Sequence, residues 1–469
     1  MAFRISTKTA LGRLPYASRG QWARTTIRSA TTAAQTAKAA EFEGAATSPL
    51  FDAKDVIAKE ASYMVATYSR PNIMFERGEG SYLWDTDQKK YLDFTAGIAV
   101  NSLGHADKGV TGVIAEQAQK LIHVCNLYHN PWTGELSRLI IDTTRASGAM
   151  VDASKVFICN SGSEANEAAI KFARKVGKTS GNPDKTQFVS FHNSFHGRTM
   201  GSLSATPNTK YQKPFGPMVP GFKYGNLNDV AAIDELVDEN VCGVIVEPIQ
   251  GEGGIHAATE EFLVALKKRC EDVGAVLIYD EIQCGLGRTG ELWAHSILPK
   301  EAHPDIMTTA KALGNGVPVG ATIVTEKVAE KIVIGDHGTT FGGNPLATRV
   351  AHHVFSRLSS TEMLREVQRK GDIFKNQLEK MKAKYPGLIS EIRGRGLIIG
   401  VQLTKEPGNI VTECRDKGLL ILTAGTNTLR IVPPLVITDE QINQGLDILE
   451  GVLAHAAKDG QNEQKAVGN

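Results

Sequence analysis

The sequence is short of several things, and each shortage narrows what the chain can be. No acidic residue occurs before Glu41, whereas residues 1–40 carry seven basic side chains, from Arg4 to Lys38. An opening rich in arginine, serine, threonine and alanine and free of acids predicts a mitochondrial transit peptide over 1–40, and with it residence in the mitochondrial matrix. The competing reading is a basic arm that binds nucleic acid. Beyond residue 40, however, 45 basic side chains face 51 acidic ones, and no basic stripe remains to track a phosphate backbone. No apolar run approaches the length of a membrane span, so no membrane partner is expected. The six cysteines lie far apart, with no C-x-x-C pair and no close set of histidines. They are expected to be reduced, mostly buried thiols, and no metal site is expected. The chain also lacks internal repeats and the G-x-x-x-x-G-K-S/T loop of nucleotide hydrolases.

What is present alternates. At 469 residues, 42% hydrophobic and 22% charged, the chain is long enough for two or three domains around a sizeable core. The stretch "EGSYLWDTDQKKYLDFTAG" predicts a hairpin turning at Asp85, Thr86 and Asp87. Short apolar runs then recur between helical patterns: "KVFICN", "QFVSF", "CGVIVEPI", "AVLIYDEI", "DIMTTAK" and "GATIVT". Several are continuous rather than alternating, as strands buried on both faces should be, so the fold class is α/β with a mostly parallel sheet covered by helices. Helices are predicted over "SEANEAAIKFARKVG" and over "EEFLVALKKRCEDVG", the second stopped by Gly274. From about Asn344 the texture changes to a long helical stretch and the strands "LIIGVQL", "LLILT" and "LRIVPPLVI". A last helix opens at "TDEQ", where Thr438 and Gln441 fit a capping box. The expected division is a segment 41–90 joining a small domain, a large domain 91–343, the smaller α+β domain 344–460, and a polar tail 461–469.

Ligands of open α/β sheets gather at the carboxyl ends of the strands, and four stretches there carry polar residues. In "CNSGSEANEAA" a strand ends and a helix begins, with Ser161 and Glu164 at capping-box spacing. Free backbone N–H groups at such a terminus bind phosphate, and Gly162 and Ser163 let an anion come close. In "AVLIYDEIQCGLGRTG" the acids Asp280 and Glu281 follow an apolar strand, a costly place for a carboxylate that meets no cation or donor. The same stretch spells G-x-G-x-x-G from Gly285 to Gly290, which leaves a dinucleotide-dependent oxidoreductase as an alternative. The glycines do not directly follow the strand, though, and the two acids would repel a pyrophosphate. In "NSFHGRT", Phe195 could cover a planar ring and Arg198 hold a carboxylate, while His196 fits a local hydrogen bond. "HGTTFGGNP" is a glycine-rich polar turn.

Lys311, in "DIMTTAKALGNG", gives these parts a common purpose. It sits among threonine, alanine and glycine with no acid after Asp305. A surface lysine would keep its ammonium in water. One held away from water becomes a neutral amine, the form that condenses with carbonyls. A phosphate nest, a buried carboxylate, an aromatic cover and a desolvated lysine together suit pyridoxal 5′-phosphate (PLP).

The motifs "SGSEANEAAIKFAR", "FHNSFHGRTMGSLSATPNTKYQKPFGPMVPGF", "VEPIQGEGG", "YDEIQCGLGRTG", "TTAKALGNG" and "TTFGGNP" resemble, in this order, those of the class III, ornithine-type aminotransferases of PLP fold type I. The resemblance spans roughly 55–455. It implies a large domain built on a seven-stranded sheet and a smaller α+β domain. It also implies that Lys311 condenses with the cofactor's aldehyde, Asp280 holds the pyridinium nitrogen, Gln283 the phenolic oxygen, Gly162 and Ser163 the phosphate, and that Phe195 lies over the ring. Thr340 would reach the phosphate of a neighbouring subunit, which makes the active unit a homodimer. Arg430 would take the α-carboxylate of glutamate, with Glu252 pairing it when no carboxylate is wanted there. Arg198, helped by Thr339, would hold the remote carboxylate of either substrate. The implied small molecules are glutamate, 2-oxoglutarate and an amine donor. The long match after Arg198 favours N-acetylornithine as that donor over ornithine, whose aminotransferases usually carry tryptophan where this chain has His196.

Overall fold

The continuous apolar runs become strands with both faces covered. In the computed structural model, which describes residues 52–467 with side chains as far as Lys458, every residue of Val241–Val246, Val276–Asp280 and Gly320–Thr325 is buried. The predicted transit peptide lies outside the described residues. Seven strands form the central sheet, in the spatial order Ala153–Cys159, Gly320–Thr325, Ile306–Thr309, Val276–Asp280, Val241–Val246, Gln187–Phe191, Phe222–Gly225. From Ile306–Thr309 across to Phe222–Gly225 all pairings are parallel. Gly320–Thr325 runs antiparallel to both of its neighbours. The sheet is therefore mostly parallel, as its apolar runs predict. The strand Phe222–Gly225 does not stand out as an apolar run because it is a half-buried edge.

Helices cover the sheet where their small and apolar faces meet it. Gly162–Lys178 buries Ala168, Ala169, Phe172, Ala173 and Val176 against it. Glu260–Val273 starts where the Thr259 hydroxyl accepts from the N–H of Phe262 and stops at Gly274, whose φ of 68° is the left-handed cap that glycine adopts without a Cβ clash.

The predicted hairpin forms between Tyr82–Asp85 and Lys90–Asp93. The Asp85 carboxylate closes its turn by accepting from the N–H groups of Asp87 and Lys89. Lys90–Asp93 also pairs in parallel with Leu419–Leu420, which ties the hairpin to the C-terminal part of the chain. There a second, antiparallel sheet runs Ile389–Arg395, Ile398–Leu403, Thr428–Ile431, Leu422–Ala424. It packs with Pro345–Leu358, Thr361–Lys384 and the last helix, Asp439–Val467. Thr438 and Gln441 open that last helix with two reciprocal hydrogen bonds, 2.9 and 3.3 Å long, as the capping box requires. Among the described residues, no helix is long and apolar enough to cross a membrane, and no group of His, Cys, Asp and Glu could hold a metal ion. Cys125 is exposed and the other five thiols are buried, all of them free.

Parallel order brings together residues that lie far apart in the sequence. Ile306–Thr309, Val276–Asp280, Val241–Val246 and Gln187–Phe191 are successive neighbours in the sheet. The segments at their carboxyl ends carry Lys311, Asp280, Glu247 and Phe195 respectively.

Candidate active site

A cavity of ≈ 280 Å³ opens at those carboxyl ends, and Gly162, Ser163, Phe195, Asp280, Gln283 and Lys311 all line it. Lys311 stands just past its strand with a φ of 41°. A left-handed conformation costs a long side chain about 1–2 kcal/mol and persists only where the surroundings enforce it. Burial is the largest cause holding the Lys311 ammonium below the ordinary lysine pKa. The positive charge of Arg430 adds to it, against the opposing pull of Asp280, Glu247 and Glu252. Both leading effects disfavour the protonated form, so the amine is shifted toward the state that attacks a carbonyl.

Asp280 is 3% exposed, and donors hold it on two sides. Its Oδ2 accepts from Asn166 Nδ2 at 2.8 Å and lies 2.8 Å from His196 Nδ1. Its Oδ1 accepts from the N–H of Ile282 at 3.1 Å. Asn166 is itself fixed, since it donates to the His196 carbonyl at 2.7 Å and accepts from the Thr308 hydroxyl at 2.8 Å. A carboxylate so braced keeps lone pairs for a cationic N–H in the cavity. Glu281, just past the end of the strand, has a different fate. It accepts from the N–H groups of Ala294 and His295 at 2.9 and 3.0 Å and pairs with His295 Nδ1 at 2.7 Å, away from the cavity.

At the opposite wall, Ser161 caps Gly162–Lys178, its hydroxyl accepting from the N–H of Glu164 at 3.2 Å. The return bond of the box is shifted by one residue: the Glu164 carboxylate accepts from Asn160 N–H at 2.5 Å. The first N–H groups of the helix, those of Gly162 and Ser163, have no intrahelical acceptor and face an anion site. Glycine at 162 has a steric cause too, since a Cβ there would lie 2.8 Å from Ile282 Cδ1.

Glu247, which the motifs did not single out, also lines the cavity. Its two oxygens accept from the N–H groups of Phe195 and Gly251, each at 2.9 Å. Burial pushes its carboxyl up to about 7 against the attraction of His196.

The two arginines named from the sequence are placed differently. Arg430, on Thr428–Ile431 and 2% exposed, directs Nη1 to Glu252 at 2.9 Å, to the Gly251 carbonyl at 3.1 Å and to Gln283 Oε1 at 3.2 Å. Gln283 therefore spends its oxygen on Arg430 and keeps its amide N–H groups as donors. Arg198 is exposed and does not line the cavity; its guanidinium lies over the Tyr211 ring, 3.6 Å from the centroid, and 5.5 Å from that of Phe195. The Thr339 hydroxyl accepts from Asn160 Nδ2 at 3.1 Å, beside the helix N-terminus. Thr340 is exposed and is not brought to this chain's cavity. The Gly285–Gly290 run is buried. A Cβ at Gly285 would lie 2.6 Å from the Glu281 carbonyl oxygen, and only the short 3-10 turn Ala294–Ile297 follows. No helix N-terminus stands behind those glycines to take a pyrophosphate.

The cavity presents a braced carboxylate, unpaired N–H groups at a helix N-terminus, an aromatic side chain and a desolvated amine. These match the pyridinium, phosphate, ring and aldehyde of PLP, so the residues fit that cofactor. Fold and site together define a PLP-dependent enzyme of fold type I. Residues 63–453 match the family model described as Aminotransferase class-III, and the chain belongs to that family. It is 62% identical over 396 residues, 84% of this chain and 86% of the other, to a protein of Neurospora crassa named "Acetylornithine aminotransferase, mitochondrial". Among solved structures it is similar to the ornithine aminotransferase of Toxoplasma gondii, with a TM-score of 0.81 and 32% identity over 88% of this chain and 97% of that one. It is similar as well to the N-acetylornithine aminotransferase of Stenotrophomonas maltophilia, with a TM-score of 0.73 and 35% identity over 86% of this chain and all of the other.

Proposed function

We propose that the chain catalyses amino transfer from N2-acetyl-L-ornithine to 2-oxoglutarate, giving N-acetyl-L-glutamate 5-semialdehyde and L-glutamate, a step of arginine biosynthesis in the mitochondrial matrix. The half-buried Lys311, which lines one cavity with Asp280, carries the reading. Identity of 62% to a relative named for N-acetylornithine supports that donor. Likeness of fold reaches ornithine enzymes as well, with a TM-score of 0.81 against 0.73, and does not carry the choice of donor.

When bound, PLP supplies an aldehyde that condenses with amines and a ring that accepts the electrons released as the substrate C–H bond breaks. The chain's own groups do the rest. Lys311 Nζ would hold the cofactor through its aldehyde and, as a free amine, would be the base placed to move a proton from the substrate carbon. Asp280, held by His196 and Asn166, keeps the ring nitrogen protonated. Gln283 donates to the phenolic oxygen, Gly162 and Ser163 hold the phosphate, and Phe195 covers the ring. Thr340, exposed on this chain, reaches the phosphate of a second copy, so the working unit is a homodimer. Arg430 binds the α-carboxylate of glutamate and is closed by Glu252 otherwise, while Arg198 with Thr339 holds the remote carboxylate of either substrate. Pairing of Leu92 and Asp93 with Leu419 and Leu420 supports joining the N-terminal segment to the small domain 344–460, with the segment running to about Asp93, a few residues past the boundary expected at 90.

Initial rates with N-acetylornithine and with ornithine, each with 2-oxoglutarate, test the substrate. N-acetylornithine is expected to react faster; a faster reaction with free ornithine overturns the assignment.

A further inference from the structure

An arginine that must bind a carboxylate from an exposed position faces a conflict. Its long side chain has to be held still, yet any acid that holds it also fills the edge the substrate needs. Arg430 shows that conflict openly, being paired with Glu252 at 2.9 Å. Arg198 escapes it. Among the described residues its guanidinium has no hydrogen-bond or ion-pair partner, and its central carbon lies over the Tyr211 ring at 3.6 Å from the centroid. Stacking on an aromatic face occupies the plane of a guanidinium and leaves its N–H edge open.

The platform beneath it is fixed. Tyr211 belongs to the short turn Thr209–Gln212, where Asn208 accepts from the N–H of Lys210 at 3.1 Å. The next residue, Gln212, donates to the carbonyls of Leu203 and Thr206 and to the Tyr224 hydroxyl, at 3.1, 2.9 and 3.1 Å. The Thr206 hydroxyl in turn accepts from the N–H of His196, the residue beside Asp280, at 2.8 Å. Tyr211 also meets Phe195 edge to face at 6.4 Å. One ring of the stack thus faces the cofactor cavity and the other carries the arginine.

We infer that Tyr211 is a positioning residue that presents Arg198 to the remote carboxylate of both substrates, through its ring face and not through its hydroxyl. The inference rests on the carboxylate role proposed for Arg198.

The test uses the holoenzyme with Tyr211→Leu, Tyr211→Phe and Arg198→Ala, alone and combined, measuring kcat and KM for N-acetylornithine and for 2-oxoglutarate. Tyr211→Leu should raise both KM values about two- to fivefold, the worth of an exposed cation–π pair, with kcat unchanged. Tyr211→Phe should behave as the parent, and Tyr211→Leu should add nothing in the Arg198→Ala background. A fall in kcat at constant KM, a Phe variant as impaired as the Leu variant, or full additivity with Arg198→Ala would each overturn the inference. Parental KM values in Arg198→Ala alone would instead remove the carboxylate role of Arg198, and the inference with it.

Discussion

Arg198 and Arg430 carry the same group into opposite environments. Arg430 is buried on a strand, with a carboxylate, a carbonyl and an amide oxygen all on Nη1. Arg198 is exposed on a loop and rests on a ring. The first arrangement suits the switch proposed for it: Glu252 is 39% exposed on its side chain, which leaves it room to move aside for a substrate carboxylate. The second suits the handle proposed for it, since among the described residues no acid pairs with its guanidinium. An enzyme that must accept glutamate by its α-amine and N-acetylornithine by its distal amine needs one of each, because only the remote carboxylate is common to both.

On the proposed roles the handle serves both substrates, so its loss should be the most damaging. Arg198→Ala is expected to lower kcat/KM for N-acetylornithine and for glutamate alike, by about ten- to 150-fold if one to a few charge-assisted hydrogen bonds are lost. Steady-state kinetics in both directions check this; a loss confined to one substrate would break the comparison. Glu252→Gln should have a smaller effect, because the pair it removes is partly solvated. With Arg430 left uncovered, N-acetylornithine can be gripped by the wrong carboxylate. Its half-reaction should slow relative to that of glutamate by about two- to fivefold. Single-turnover rates for the two amino donors read the ratio directly, and an unchanged ratio would mean that Glu252 does not gate.

The sequence names Arg198, Arg430 and Glu252 but not the ring beneath Arg198, for a physical reason. Residues whose roles are set by their own segment can be read there: Gly162 and Ser163 at a helix start, Asp280 at the end of a buried strand, Lys311 among small neighbours. Arg430 and Glu252 are named through the family resemblance. Tyr211, Asn166 and Glu247 do not stand out, because each matters through a partner that only the fold supplies. Asn166, for example, braces Asp280 across 114 positions. Asp280 ends its strand and Glu281 lies just beyond it, and their different partners, Asn166 for one and His295 for the other, come from the fold. The same limit holds for the fold. Short apolar runs mark six of the seven central strands, and the short Phe222–Gly225 edge escapes because it is half-buried throughout.

The division of labour between the two arginines is tested most directly by Arg430→Ala, with each half-reaction followed separately by the absorbance of the bound cofactor in single turnovers. Glutamate should convert the enzyme much more slowly than in the parent, while N-acetylornithine should convert it at close to the parental rate. Equal losses with both donors would contradict the account.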